Sequence, residues 1–213
     1  MENSTIARQE NRIIFAIAKS RVIATRIFGL LVLLLLLFTG HSFSQGGKID
    51  ILSEITGLFL LSICSFGRSW ALLYISGNKR RELVTEGPYS IVRHPLYLFS
   101  LIGAVGIGLA SENLLVLALI IIFYLFYYPF TILTEEIELT KKFGNSYLEY
   151  MKKTPRFLPK FSLYKEPERF SVKTDAFLPN FVDSMWFIWI FLLMHFIEML
   201  QDSGFLPVFL RIP

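Results

Sequence analysis

The chain has 213 residues, 54% of them hydrophobic and 18% charged, with a mean hydropathy of +0.53 and a net charge of +4. A soluble domain of this length carries more charge and less apolar mass, so the composition points to a membrane protein. The single cysteine, Cys64, excludes an intramolecular disulfide and any multi-cysteine metal site.

Apolar stretches in chain order predict about five transmembrane helices, each judged against roughly 30 Å of hydrocarbon. The first is Ile23 to Phe38, dominated by leucine. Its long basic flank (Arg8, Arg12, Lys19, Arg21, Arg26) and the lack of a small-residue cleavage site after Phe38 mark a retained span, not a signal peptide. The second runs from Ile51 to Ile75 and carries Glu54, Arg68 and Trp70. The third, Leu96 to Ala110, is short, and Gly103, Gly106 and Gly108 permit close helix packing. Ser111-Glu112-Asn113 leaves room only for a tight turn, so the third span and the fourth, Leu114 to Leu133, form a helical hairpin. The fifth is Val182 to Leu200. The expected fold is an all-α, polytopic membrane bundle forming a single domain over 1–213.

Charge sets the orientation. With Arg26 at the first boundary, segments 1–22, 77–95 and 134–181 hold 18 of the 21 Lys and Arg residues. The positive-inside rule places these segments, and the N-terminus, in the cytoplasm.

Two polar regions on that side carry the candidate chemistry. In 77–97, Gly87-Pro88 is a turn signal. Pro95 suits the first turn of a helix, which puts His94 near its N-cap. Arg93, His94, Tyr89 and Tyr97 therefore converge at one membrane boundary. In 134–159, Glu135 and Glu138 share a helix face, and Gly144 breaks the helix. Tyr147, Tyr150 and Met151 then form one face of a short amphipathic helix, which by itself reads as interfacial. Arg68, inside the second span, is costly unless it snorkels or pairs with a carboxylate. His195, in the fifth span, reads as a structural histidine. No Walker loop, His-Glu-x-x-His or dinucleotide glycine fingerprint occurs, so neither metal nor nucleic acid is an expected partner.

The ordered set Leu83-Val84-Thr85-x-Gly87-Pro88-Tyr89, Val92-Arg93-His94-Pro95-x-Tyr97, Glu135-Glu136, Phe143-Gly144-x-x-Tyr147-x-x-Tyr150 and Pro155 resembles the membrane methyltransferases that include isoprenylcysteine carboxyl methyltransferase and phospholipid N-methyltransferases. The resemblance covers 77–159 and leaves the fifth span, 182–200, as an extra element with no family role. It implies a cytosol-facing pocket for S-adenosylmethionine, lined by Arg81, Glu82, Leu83, Val84, Tyr89, His94, Pro95, Leu96, Tyr97 and Glu135. It also implies methyl transfer to a lipid-like acceptor in the membrane. Carboxyl O-methylation of the isoprenylcysteine type is the first expectation and phospholipid head-group N-methylation the second. The carboxyl branch has an Arg one turn before the cofactor Glu, and Thr131 stands there in this chain. A His usual at the position of Arg81 is also absent. Arg68 and Thr131 are the candidate acceptor contacts, and His94 is the candidate base for an amine acceptor. The rival of a different class is a non-catalytic scaffold whose basic face holds anionic lipid. A transporter is disfavoured, since no paired half-helices or internal symmetry are visible.

Overall fold

The computed structural model of the chain describes residues 20–41, 47–76, 82–168, 172 and 174–212. Arg81, the neighbouring Lys79 and Arg80, and the basic residues Arg8, Arg12 and Lys19 lie outside them. The elements are α1 (Arg21–Phe38), β1 (Thr39–His41), α2 (Lys48–Ile75), α3 (Pro88–Ile91), α4 (Pro95–Ala110), α5 (Leu114–Phe143), α6 (Asn145–Lys153), a single 3-10 turn (Phe161–Leu163), α7 (Thr174–Ser184), α8 (Trp186–Asp202) and β2 (Leu210–Ile212).

Among the described residues, three stretches are long and apolar enough to cross a membrane: α2, α5 and the run Thr174–Asp202 formed by α7 and α8. Two shorter apolar helices, Ile23–Phe38 and Pro95–Ala110, join them. The third span is short, as the sequence predicts. Pro95 and the Ser111 turn bound α4 to 16 residues, about 24 Å at 1.5 Å per residue. Many large apolar side chains face outwards, among them Phe59, Phe66, Ile122, Leu125 and Phe126. A soluble protein does not expose such a belt; lipid is its natural solvent, and the chain is a membrane protein.

Glycines set the inner contact. A Cβ on Gly57 of α2 would lie 2.7 Å from Ala110 Cβ and 2.9 Å from Gly106 O, and one on Gly103 would lie 2.5 Å from Cys64 Sγ. Only bare backbone lets α2 and α4 approach this closely. Cys64 is fully buried in that seam. On the other flank, Val32 of α1 packs with Val116 and Ile120 of α5, and Phe28 stacks on Phe123.

Helix α5 runs ten residues beyond the span end at Leu133, to Phe143, and stops at Gly144, as the sequence predicts. One boundary differs from the sequence expectation. The fifth span starts at Thr174, turns at Met185 and ends at Asp202, so the C-terminal element reaches back to the polar end of the bundle. The two three-residue strands were not foreseen. They pair in parallel, Thr39 with Leu210 through His41 with Ile212.

The α4–α5 turn is as tight as expected. Asn113 caps α5, accepting from Leu115 N and Val116 N at 3.0 and 3.2 Å. Glu112 takes φ 51°, uncommon for a residue with a Cβ. Burial, and then hydrogen bonding to Asp50 with the charges of Glu198 and Glu54 nearby, push its carboxyl up from 4.5 to about 9. The folded state therefore binds a proton that the unfolded chain has released, and stability falls as pH rises from about 4.5 to about 9. Glu112→Gln should flatten that part of the profile, as read by thermal unfolding in detergent at a series of pH values.

Candidate functional site

The site grows from the turn at Gly87. Its φ of 58° and ψ of −133° suit only glycine, and they aim Pro88–Ile91 into one helical turn. Ser90 Oγ donates back to Gly87 O at 2.6 Å. Tyr150 Oη donates to Tyr89 O at 2.6 Å. His94 is the N-cap of α4, and Pro95 occupies the first turn, as the sequence predicts.

A buried carboxylate fixes this segment against α5. Glu136 Oε1 receives Arg93 Nη1 at 3.0 Å, His94 Nε2 at 3.1 Å and Arg156 Nε at 3.1 Å. Arg156 Nη2 reaches Oε2 of the same residue. The Glu136 side chain is only 7% exposed, so these charge-assisted contacts form away from most of the solvent. Glu135, one residue earlier, points differently: it is a third exposed and lies 3.9 Å from His94 Nδ1.

Between these walls lies a cavity of about 860 Å³, within the range of small-molecule sites. Arg68, Leu72 and Ile75 of α2 line one side; Glu82 to Val84, Tyr89 and Arg93 to Tyr97 line another. Tyr128, Glu135, Glu138 and Leu139 of α5, with Tyr147 and Tyr150 of α6, complete the wall. Asn180 and Asp183 enter from α7. Arg68 Nη1 donates to Ser100 Oγ at 2.6 Å, Nη2 is 4.0 Å from Asp183, and the guanidinium sits 5.6 Å from the Phe187 ring. Tyr124 and Tyr128 stack at 3.9 Å; Tyr128 meets Tyr97 edge-on, and Tyr97 lies beside His94. Burial raises the Tyr89, Tyr147 and Tyr150 phenols above 10, so at neutral pH they are hydrogen-bond donors and not bases.

The structure gathers most of the expected residues. Glu82, Leu83, Val84, Tyr89, His94, Pro95, Leu96, Tyr97, Glu135 and Arg68 all line the cavity; Arg81 lies outside the described residues. Thr131 is a correction. It is buried, its Oγ1 faces Tyr127 O of its own helix at 3.5 Å, and it is not in the cavity wall. Thr131 shares the helix face of Tyr128 and Glu135, but its hydroxyl turns back on its own helix. The amphipathic helix α6 is also corrected: Tyr147 and Tyr150 are buried against the site and not laid on a membrane surface. His195, read as a structural histidine, is outside the cavity wall, with Nδ1 3.6 Å from Glu54 and 3.5 Å from Glu198. Asn180 and Asp183 were missed; they come from the C-terminal element, for which the resemblance offers no role.

Comparison with known proteins adds two findings. Residues 55–146 match the family model described as phospholipid methyltransferase. The chain is also 36% identical to the cobalt-zinc-cadmium resistance protein CzcN of Cupriavidus metallidurans, over 89% of this chain and 87% of that one. It belongs to the phospholipid and isoprenylcysteine methyltransferase family of membrane proteins. A second family relative is the nickel-cobalt-cadmium resistance protein NccN of Alcaligenes xylosoxydans xylosoxydans, 34% identical over 85% of both chains. A third is a protein-S-isoprenylcysteine O-methyltransferase of Schizosaccharomyces pombe, 38% identical over 38% of this chain and 35% of the relative. No solved structure matches this family member. The family model ends at residue 146, so Tyr150, Arg156 and α7 join the site from beyond it.

Proposed function

We propose that the protein is an S-adenosylmethionine-dependent methyltransferase acting on a lipid-tailed acceptor in the membrane, first of all a carboxylate of the isoprenylcysteine type. One observation carries the reading: a single cavity joins the wall formed by Leu83, Val84, Tyr89 and His94 to Tyr97 with a largely buried guanidinium, Arg68. The residues fit the cofactor. Tyr89 Oη is buried, with no hydrogen-bond partner among the described residues, so it can bind a cofactor atom, and Arg68 Nε, likewise buried and unpartnered among them, is left for the acceptor. Glu135 and Glu138 can accept from hydroxyl and amino groups, and the rings of Tyr97 and Tyr128 offer faces that attract a cation. When bound, the cofactor supplies a methyl group already activated on a sulfonium.

The protein then has mainly to align and to exclude water, and alignment contributes on the order of 7–11 kcal/mol. Arg68 positions the acceptor carboxylate. No proton has to be removed from such an acceptor. That agrees with His94, whose Nε2 is tied to Glu136 and which therefore serves as a positioning residue. The cavity end is placed on the cytoplasmic side in a multi-pass topology, since the basic residues collect in the segments at that end. Segment 77–159, with α7, forms the methyltransferase core of one domain, and the oligomeric state is left open.

The test is calorimetry with S-adenosylmethionine and its demethylated product on the purified protein. Saturable binding is expected, and its absence would return the chain to the scaffold reading. Arg68→Ala should keep cofactor binding but lower kcat/KM for a carboxylate acceptor roughly ten- to hundredfold, the equivalent of about 1.5–3 kcal/mol for a contact to a charged group. Arg68→Lys should recover part of that loss. The family's phospholipid branch supports a second reading, head-group N-methylation. Labelled methyl donor separates the two, because only N-methylation puts label into extracted phospholipid. Because relatives carry names from cobalt, zinc, cadmium and nickel resistance, acceptor screens should include membranes from cells grown with these metals.

A further inference from the structure

Segment 154–168 crosses the cavity end of the bundle and is tied to the site wall along its length. Arg93 N donates to Pro155 O at 2.9 Å, Lys160 N to Ile91 O at 3.0 Å and Gly87 N to Lys165 O at 2.7 Å. Lys165 N donates to Ser90 Oγ at 3.0 Å. The backbone is thus a fixed strap. Yet three large apolar side chains turn outwards from it: Leu158 at 83% exposure, Phe161 at 75% and Tyr164 at 46%. Phe161 opens the 3-10 turn Phe161–Leu163, Tyr164 follows it and Leu158 precedes it by three residues. A fixed backbone presenting exposed apolar groups marks an interaction surface.

Its depth identifies the partner. The Tyr164 ring lies 6.2 Å from Trp70, and Tyr164 also hydrogen-bonds Tyr74. Trp70 is five residues before the end of α2, about 8 Å inside that end at 1.5 Å per residue. The strap therefore touches the flank of a membrane-crossing helix, at the level where Trp and Tyr rings collect at a bilayer interface. Helix α2 itself exposes Phe66, four residues before Trp70, and Phe59, as a lipid-facing helix does. Exposed Lys152, Lys153 and Lys160 flank the apolar face, a complement to anionic head groups.

We propose that this strap is a monotopic membrane anchor. Leu158, Phe161 and Tyr164 enter the head-group region of the leaflet at the cavity end, and Lys152, Lys153 and Lys160 hold its anionic phosphates. Because the strap is hydrogen-bonded to Gly87, Ser90, Ile91 and Arg93, the anchor fixes the site wall at the membrane surface. The inference does not depend on methyl transfer.

Spin labels on full-length Leu158→Cys, Phe161→Cys and, as an aqueous reference, Glu149→Cys test it in phosphatidylcholine–phosphatidylglycerol vesicles. Cys64 is buried and stays in place. The first two labels should be open to oxygen and shielded from a water-soluble nickel chelate, with the reverse at the reference. Removing phosphatidylglycerol, or combining Lys152→Gln, Lys153→Gln and Lys160→Gln, should raise chelate access at the first two. Equal chelate access at all three positions overturns the anchor, and the face then meets water or a protein. Shielding that survives both the neutral lipid and the triple substitution overturns the role of the lysines.

Discussion

Glu136→Ala should abolish cofactor binding and cost about 3–5 kcal/mol of stability, the usual penalty for removing one partner of a buried ionic group. Arg93, His94 and Arg156 all converge on this carboxylate. Without it, the two guanidinium groups lose their shared counter-charge, and Arg93 is almost as buried as Glu136 itself. The segment Arg93–His94 then keeps only the longer contact of His94 with Glu135 to α5, and the adjoining cavity wall loosens. Glu136→Gln keeps the shape and part of the hydrogen bonding but not the charge, so it should fall between Ala and the wild type. Thermal unfolding in detergent, with cofactor calorimetry on the same samples, checks both effects. A Glu136→Ala protein that melts and binds like wild type would remove Glu136 from the site architecture.

Gly87→Ala should also lose the site, by another route. At φ 58° and ψ −133° an L side chain is strained, at about 1–3 kcal/mol. The added Cβ would lie 2.3 Å from the Tyr74 ring, which in turn packs on Tyr89 and Ala71. Overpacking of this sort costs a further 1–3 kcal/mol or so. Tyr74 cannot yield without moving Tyr89, whose hydroxyl faces the cavity. The expected result is a protein that still inserts in membranes but unfolds earlier and binds cofactor weakly. Adding Tyr74→Ala should relieve the clash but not the backbone strain, so recovery is expected to be partial.

Much of this was legible in the sequence. The hydrophobic runs, the Ser111–Asn113 turn and the Gly87-Pro88 and His94-Pro95 signals depend on local chemistry, and each stands where it was expected. The pair Glu135-Glu136 shows where local information stops. Adjacent helix positions differ by about 100° in direction, and only the arrival of Arg93 and Arg156 from other segments decides which carboxylate is buried. Thr131, chosen by matching a family position, does lie one turn before Glu135 on the same helix face, but a shared face does not reveal that its hydroxyl turns back to Tyr127 O. Tyr147 and Tyr150 read as interfacial because an amphipathic helix does not say what covers its apolar side. Asp183 carries no local signal, and its role depends on α7 folding back to α2. The lipid-facing belt was visible as composition, but the exposure of Leu158, Phe161 and Tyr164 was not, since it depends on a strap held by hydrogen bonds to distant residues.

The small parallel sheet has a consequence for how the molecule is made. Thr39–His41 can pair with Leu210–Ile212 only after the intervening helices have emerged and been placed, and Gln201 bridges to Leu36 O across 165 positions of chain. Closing so large a ring is entropically slow compared with forming the local α4–α5 hairpin. Assembly should therefore run from an early inner core of α2, α4 and α5 to a late clasp between the first and last elements. Until that clasp closes, α1 is held by little more than its packing on α5, and a biosynthetic intermediate with a loose first helix is the form most exposed to membrane quality control.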